Sequence, residues 1–391
     1  MTEQLQTFFS ENKDAVDAVI KVFEQNADVI ASVVGDIFPV FSIVATFVKL
    51  ALDKVESKEA RYMTQQFQKV RDRLEAVSEE IQLINNEIKK SGIDDKYFSV
   101  EENLLNQFRK FMEVLNAKPE YIEVRKKTFL EHFKKTGGDK NLHTLYNAVT
   151  GDNFSGESVL EITLNYEQKS RRPVEEFCAM LKQLFCIGLI ALLGHASLEG
   201  YGEEEKLLQE WGEKMKVVQS KINIVIEDCI NSFPTQAELD SKRIVRDHSD
   251  KSNQQVADML IEHLKKKYDW VCWSVRVFNS PTGMFTSKKD FHGLMGKSQF
   301  QMLTSDEKVN VVISYSDSPE PVRKAQIQNL ILEQKRPTMT AMAEQLFETM
   351  PLCVIHTVKS SCKDLGFSCS FSDELHYYEK FNNFCVFLHS A

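Results

Sequence analysis

The sequence predicts a mainly α protein, with an elongated antiparallel helical bundle over residues 1–250 followed by a small α+β domain over residues 251–391. Three observations carry this. Gly and Pro number only 15 and 9 in 391 residues, which favours helix over turn-rich folds. Apolar residues recur in steps of three and four through the first 250 residues, and near Tyr268 this gives way to short β-branched and aromatic runs. The length suits two domains.

From Met63 the residues Phe67, Val70, Leu74, Val77, Ile81, Ile84 and Ile88 continue an unbroken heptad seam that Gly92 ends. A helix from Ser57 to Ser91 would be ~50 Å long and would suit an elongated bundle, or else a self-associating coiled coil. Ser99 and Glu102 form a capping-box pattern, so a helix is expected to start near Val100 and to carry Leu104, Leu105, Phe108, Phe111 and Met112. Pro119 opens the next helix, which runs to Gly137-Gly138, and a short helix covers Asn141 to Val149. Helical pattern resumes from Val159 to Leu198, interrupted or kinked at Pro173, and again from Glu203 to Phe233.

Strands are expected at Trp270 to Phe278, Val309 to Tyr315, Leu352 to Val358 and Phe384 to Leu388. Helical stretches near Val322 to Glu333 and Met339 to Phe347 lie between the second and third. The charged stretch LDSKRIVRDHSDKSNQ reads as the link between the domains.

The net charge is −9, and its acidity belongs to the first part: residues 251–391 carry 16 Lys+Arg against 15 Asp+Glu, leaving −10 for residues 1–250. A protein that tracks phosphates needs a basic face, so nucleic acid is not an expected partner. The eight cysteines lie mostly among apolar residues and read as reduced core thiols. The chain opens with the polar MTEQLQTFFSENKD, and the sequon at Asn153 is read as chance, so an intracellular, cytoplasmic protein is expected.

Two apolar segments stand out. Between Val29 and Val48 the only charge is Asp36; this segment offers Ile37, Phe38, Val40, Phe41, Ile43, Val44 and Phe47 as candidate membrane-active residues. From Gln183 to Leu198 sixteen residues are uncharged, and the segment offers Leu184, Phe185, Ile187, Gly188, Leu189, Ile190, Leu192 and Leu193. The uncharged part of the first, Ile37 to Val48, is twelve residues, so each run is shorter than the ~20 residues that span a bilayer as a helix. An apolar run without a polar face must be covered on all sides, so the resting state is expected to hide both in the bundle core. That does not forbid release into lipid, the habit of soluble helical pore-forming toxins. His195 inside the second segment reads as an interior histidine before it reads as a pH trigger.

Catalytic and cofactor motifs are missing. The GKS of His292 to Ser298 has Phe291 where a phosphate-binding loop needs glycine. Cys353, His356, Cys362, Cys369, His376, Cys385 and His389 match no common zinc spacing, and Cys353, His356, Cys385 and His389 fall on expected strands, where alternation or burial explains them better than a metal or catalytic cluster. No catalytic, cofactor-binding or metal residues are expected.

The strings IFPVFSIVATFVKLALDKVES, HFKKTGGDKNLHTLYNAVTG, FCAMLKQLFCIGLIALLGHA, KKYDWVCWSVRVFNSPTG and ISYSDSPEP, spread from Ile37 to Pro321, together resemble the rapunzel family of fish proteins. The resemblance implies a non-enzymatic protein tied to fin and skeletal growth. It also implies distant similarity to cephalotoxins and, in the helical part, to helical pore-forming toxins. A fold does not confer a function. Two readings follow. In the first the chain associates with or inserts into a lipid membrane through the apolar segments, while the C-terminal module recognises an unidentified protein partner and the chain has the option of self-association. In the second it is a soluble intracellular scaffold in developmental or innate immune signalling, whose apolar segments never leave the core.

Overall fold

The computed structural model describes residues 95–151, 157–281, 290–304, 308–334 and 338–391, together with Gln65. The heptad seam from Met63 to Ile88 otherwise lies outside the described residues, as does the first apolar segment. The chain divides into two units, Met1–Asn231 and Ser232–Ala391.

In the first unit the described helices are α1 (Asp95–Leu115), α2 (Ile122–Lys135), α3 (Lys140–Thr150), α4 (Val159–Tyr166), α5 (Arg171–Glu199) and α6 (Glu204–Asn231). The start of α1 corrects the expected one. The helix already runs through Ser99, so the Ser99 pattern is not a helix start. The capping box that forms is at α4, where Ser158 and Glu161 bond each other's backbone N–H. Pro173 does not kink a long helix. The break falls before it, at Gln168 and Lys169 with positive φ, and Pro173 sits in the first turn of α5, where a missing N–H costs little.

Helix α5 is the centre of the described helices of this unit, packing against α1, α2, α3, α4 and α6. Its glycines let neighbours approach. A Cβ at Gly188 would lie 2.6 Å from Leu142 Cδ2 and 2.9 Å from Leu104 Cδ2, and one at Gly194 would overlap the Phe111 ring.

The second unit starts earlier than the expected boundary near residue 250. Helix α7 (Phe233–Asp247) belongs to it, because its buried positions Phe233, Ala237, Asp240, Ser241 and Val245 recur on one face and pack on α8 (Asn253–Lys267). Phe233 meets Tyr268, Trp270, Trp273 and Tyr315 with ring centroids 5.2–6.1 Å apart. Asp240 accepts hydrogen bonds from Lys267 Nζ at 2.6 Å, Tyr268 Oη at 2.9 Å and Gln236 Nε2 at 3.1 Å. Burial works against its charge, but these donors and His263 win and hold the carboxyl well below the usual carboxylate range. The charged stretch that reads as a link forms the second half of α7, the turn after it and the start of α8.

The strands are β1 (Cys272–Asn279), β2 (His292–Met295), β3 (Gln299–Leu303), β4 (Val309–Ser316), β5 (Cys353–Lys359), β6 (Gly366–Cys369), β7 (His376–Lys380) and β8 (Phe384–Ser390). They form two four-stranded sheets, β3-β4-β1-β6 and β7-β8-β5-β2, antiparallel at every pairing. Helix α8 packs on β1 and β6, while α10 (Met339–Thr349) packs on β5 and β2 and is joined by α9 (Lys324–Leu332). The unit is therefore layered helix, sheet, sheet, helix.

The two sheets are built alike. Each half of the unit supplies two helices and four strands, and gives its second strand to the sheet of the other half: β2 pairs with β5, and β6 pairs with β1. The correspondence holds residue by residue. Gly293 pairs with Thr357 and sits against Met339 at the start of α10; Gly366 pairs with Val277 and sits against Asn253 at the start of α8. Across the facing sides, the row Gln301, Val312, Arg276, Phe367 of one sheet corresponds to Tyr378, Phe387, His356, Leu294 of the other.

Candidate functional site

All eight candidate residues of the second apolar segment lie on α5 and are buried: Leu184, Phe185, Ile187, Gly188, Leu189, Ile190, Leu192 and Leu193. The seven of the first segment, Ile37, Phe38, Val40, Phe41, Ile43, Val44 and Phe47, lie outside the described residues, so the pairing of the two segments is not described.

The local sequence explains why α5 is hidden. Its 29 residues have apolar side chains on every face, so no orientation leaves a polar side for water. Helices α1 and α3 cover the side of Gly188 through Leu104 and Leu142, and α6 brings Trp211 within 6.5 Å of Phe185. Fully burying one large apolar side chain contributes about 1.5–3 kcal/mol, so exposing seven of them to water would cost about as much as a whole domain's ~5–15 kcal/mol of stability, or more. This helix has two environments open to it, a protein core or lipid.

Polar groups mark its ends. Lys182 is 1% exposed although it directly precedes the uncharged run. At the other end the His195 ring stacks on Phe133 at 4.3 Å, and its Nε2 lies 3.7 Å from Glu199 Oε1. Glu199 Oε1 also meets Lys134 Nζ of α2 at 2.6 Å, which raises the Lys134 pKa. This interhelix contact ties α2 to the end of α5 and was not foreseen in the sequence, since nothing in the spacing of Lys134 and Glu199 pairs them. Helix α5 is long and apolar enough to cross a membrane, and it is the one such helix among the described residues.

Elsewhere the remaining motifs resolve into structure. The GKS string joins β2 to β3, with Gly296 at a φ of 105°, and no helix follows it, so it is not a phosphate-binding loop. His356 and His389 lie on strands, fully buried between the sheets, and the eight cysteines are free thiols. Between the sheets Arg276, 1% exposed, donates to Ser314 Oγ at 2.8 Å and lies 5.7 Å from the Phe387 ring. Burial lowers its pKa to about 9. Ser314 Oγ is also 2.7 Å from His389 Nε2. This polar layer was missed at sequence level, although a lone Arg within WVCWSVRVF is a signal for it.

A helical protein built round one apolar helix is the class that this fold defines. The profile of the cephalotoxin-like middle helical domain matches residues 53–251. Protein rapunzel of Danio rerio is 33% identical over 212 residues, which are 54% of this chain and 92% of rapunzel. No solved structure matches. The chain belongs to this family, that of rapunzel and the cephalotoxin-like helical proteins. The matched region ends near the boundary expected from sequence, while the packing divides the chain before α7.

Proposed function

We propose that this chain is a non-enzymatic, cytoplasmic protein that associates with membranes by inserting α5 into a lipid bilayer. The observation that supports this reading is a helix of 29 residues, apolar all round and buried among five other helices. At ~1.5 Å per residue the stretch from Lys182 to Glu199 rises ~26 Å, close to the ~30 Å of a hydrocarbon layer. Insertion would take it from core to lipid without leaving it in water, with Lys182 and Glu199 near the two interfaces. In this reading the second unit recognises a protein partner, and the fin and skeletal growth role implied by the family resemblance depends on the membrane-bound form.

A soluble scaffold in developmental or innate immune signalling is the rival reading. The fit of Leu104, Leu142 and Phe111 to the glycines of α5 favours it, because a permanent core needs such complementarity.

Flotation with neutral and anionic liposomes, together with dye leakage, over pH 5 to 7.5, separates the two. Insertion expects the protein to float with vesicles and α5 to become protected from protease. No flotation under any of these conditions leaves the scaffold.

A further inference from the structure

The two ends of the space between the sheets are equivalent by strand order, yet they are filled differently. At one end Phe367 of β6 meets Tyr378 and Phe387 of the opposite sheet, with centroids 4.9 Å apart in both contacts, and Tyr378 stacks on Phe387 at 4.8 Å and 17°. Three rings close that end. At the other end the corresponding residues are Leu294 of β2, Gln301 of β3 and Val312 of β4. Each is smaller than its aromatic counterpart or lacks a ring. A cleft of about 320 Å³ lies there, lined by His292, Gln301, Leu303, Asn310 and Val312.

The walls and rim of this cleft define what fits. Val312 supplies an apolar floor, fully buried. The His292 ring packs against Phe278 at 5.6 Å and Phe291 at 4.7 Å, which fixes its orientation, and its Nδ1 lies 3.4 Å from His356 Nε2. Among the described residues that leaves His292 Nε2 for another partner. Asn310 spends its N–H groups on Ser280 Oγ at 2.9 Å and the Phe278 carbonyl, so its side-chain oxygen remains an acceptor. The exposed Gln301 carboxamide makes no hydrogen bond among the described residues and offers both a donor and an acceptor. A slot at the place of a stacked-ring site, lined by polar groups as well as apolar ones, has the anatomy of a small-molecule site in which convergent polar groups fix orientation. The volume is near the low end of the ~300–1,000 Å³ range for such pockets.

We propose that this cleft binds a small planar heteroaromatic molecule whose edge carries hydrogen-bond donors and acceptors, the chemical class of nucleobases and aromatic amides. The ring takes the place that Tyr378 holds at the equivalent end, flat against Val312, and its edge meets Gln301, Asn310 and His292. Charge is not required, because the lining residues are neutral when His292 is, and burial lowers the His292 pKa. The site lies wholly in the second unit and does not depend on membrane insertion.

The test uses the full chain and three probes: adenine, benzamide and cyclohexanecarboxamide, the last a saturated analogue of benzamide. Saturation-transfer NMR and titration should show adenine and benzamide binding with a dissociation constant of ~1 mM or below, and the saturated analogue at least tenfold weaker. Gln301→Tyr rebuilds the closed end and should weaken both planar probes at least tenfold while leaving the circular dichroism spectrum unchanged. If Gln301→Tyr does not fold, Leu303→Tyr, at a side chain 50% exposed, blocks the same cleft. The proposal is overturned if no planar probe binds, if the saturated analogue binds equally well, or if binding survives the filled cleft in a folded variant.

Discussion

Tyr268, which ends α8, donates its hydroxyl hydrogen to Asp240 of α7 across 2.9 Å, and Asp240 is only 2% exposed. A buried carboxylate needs such partners, and removing them leaves a charge uncompensated in the interior. A fragment that begins at residue 250 would lose Asp240 and with it the partner of Tyr268 and Lys267, as well as Phe233 from the aromatic cluster. Residues 232–391 are therefore expected to unfold cooperatively in urea with a near-ultraviolet signal from packed tryptophans, and residues 250–391 to lack both. Equal stability of the two fragments would place α7 outside this core.

Gly188→Leu separates the roles of α5. The first added carbon would lie 2.6 Å from Leu142 Cδ2, so the helical unit is expected to lose about 1–3 kcal/mol or more in chemical denaturation. In lipid the same side chain adds apolar surface, and vesicle binding is expected to rise above that of the parent. Loss of stability without any gain in binding counts against insertion.

Acid should weaken the second unit well before its carboxylates titrate. Burial, aided by Arg276, lowers the His389 pKa to about 3 and that of His356 well below the ordinary value of 6.5. Both are neutral when folded and take up protons when unfolded, so their contribution is complete above pH ~6.5 and is lost as pH falls below it. For His389 this amounts to about 1.4 kcal/mol per pH unit, or about 2 kcal/mol at pH 5, and His356 acts in the same direction. Denaturant midpoints of residues 232–391 at pH 7 and pH 5 measure this, and His389→Gln should reduce the difference. A flat profile between these pH values would contradict the burial of both rings.

Gly293→Ala and Gly366→Ala should behave as a pair. A Cβ at Gly293 would lie 2.5 Å from the Met339 carbonyl oxygen, and one at Gly366 would overlap that of Asn253. Backbone cannot yield as a flexible side chain can, so each change is expected to cost about 1–3 kcal/mol, seen as a lower thermal midpoint. Tolerance at one site and not the other would break the equivalence of the two halves.

The elements that sequence made legible are those whose signal is local. The Gly and Pro marks around α2 and α3, and the β-branched runs of β1, β4, β5 and β8, need no knowledge of partners. Strands β2, β3, β6 and β7 were not anticipated: HGLM, QFQML, GFSC and HYYEK are short, and each occupies a sheet edge. Their place is set by residues far away, as with His292 opposite Val358. The packing divides the chain before α7 and not near residue 250, because Phe233, Ala237, Asp240, Ser241 and Val245 follow helical spacing beneath the exposed charges of Lys242, Arg243, Arg246 and Asp247. Helix α5 was legible as an apolar run, while its contacts through Gly188 and Gly194 depend on which helices surround it.

The exchange of β2 and β6 also sets an order of events during synthesis. Ser274 pairs with Cys369, about 95 residues later, so β1 leaves the ribosome ~5–20 s before its second neighbour exists. For that interval its unpaired edge is open to any other strand within reach. His292 and its neighbours wait in the same way for β5. A premature stop after β4 would leave β1 permanently without this neighbour, and a ribosome that stalls there would hold a chain prone to aggregate. Fidelity at the 3′ end of the message thus protects a sheet encoded largely upstream of it.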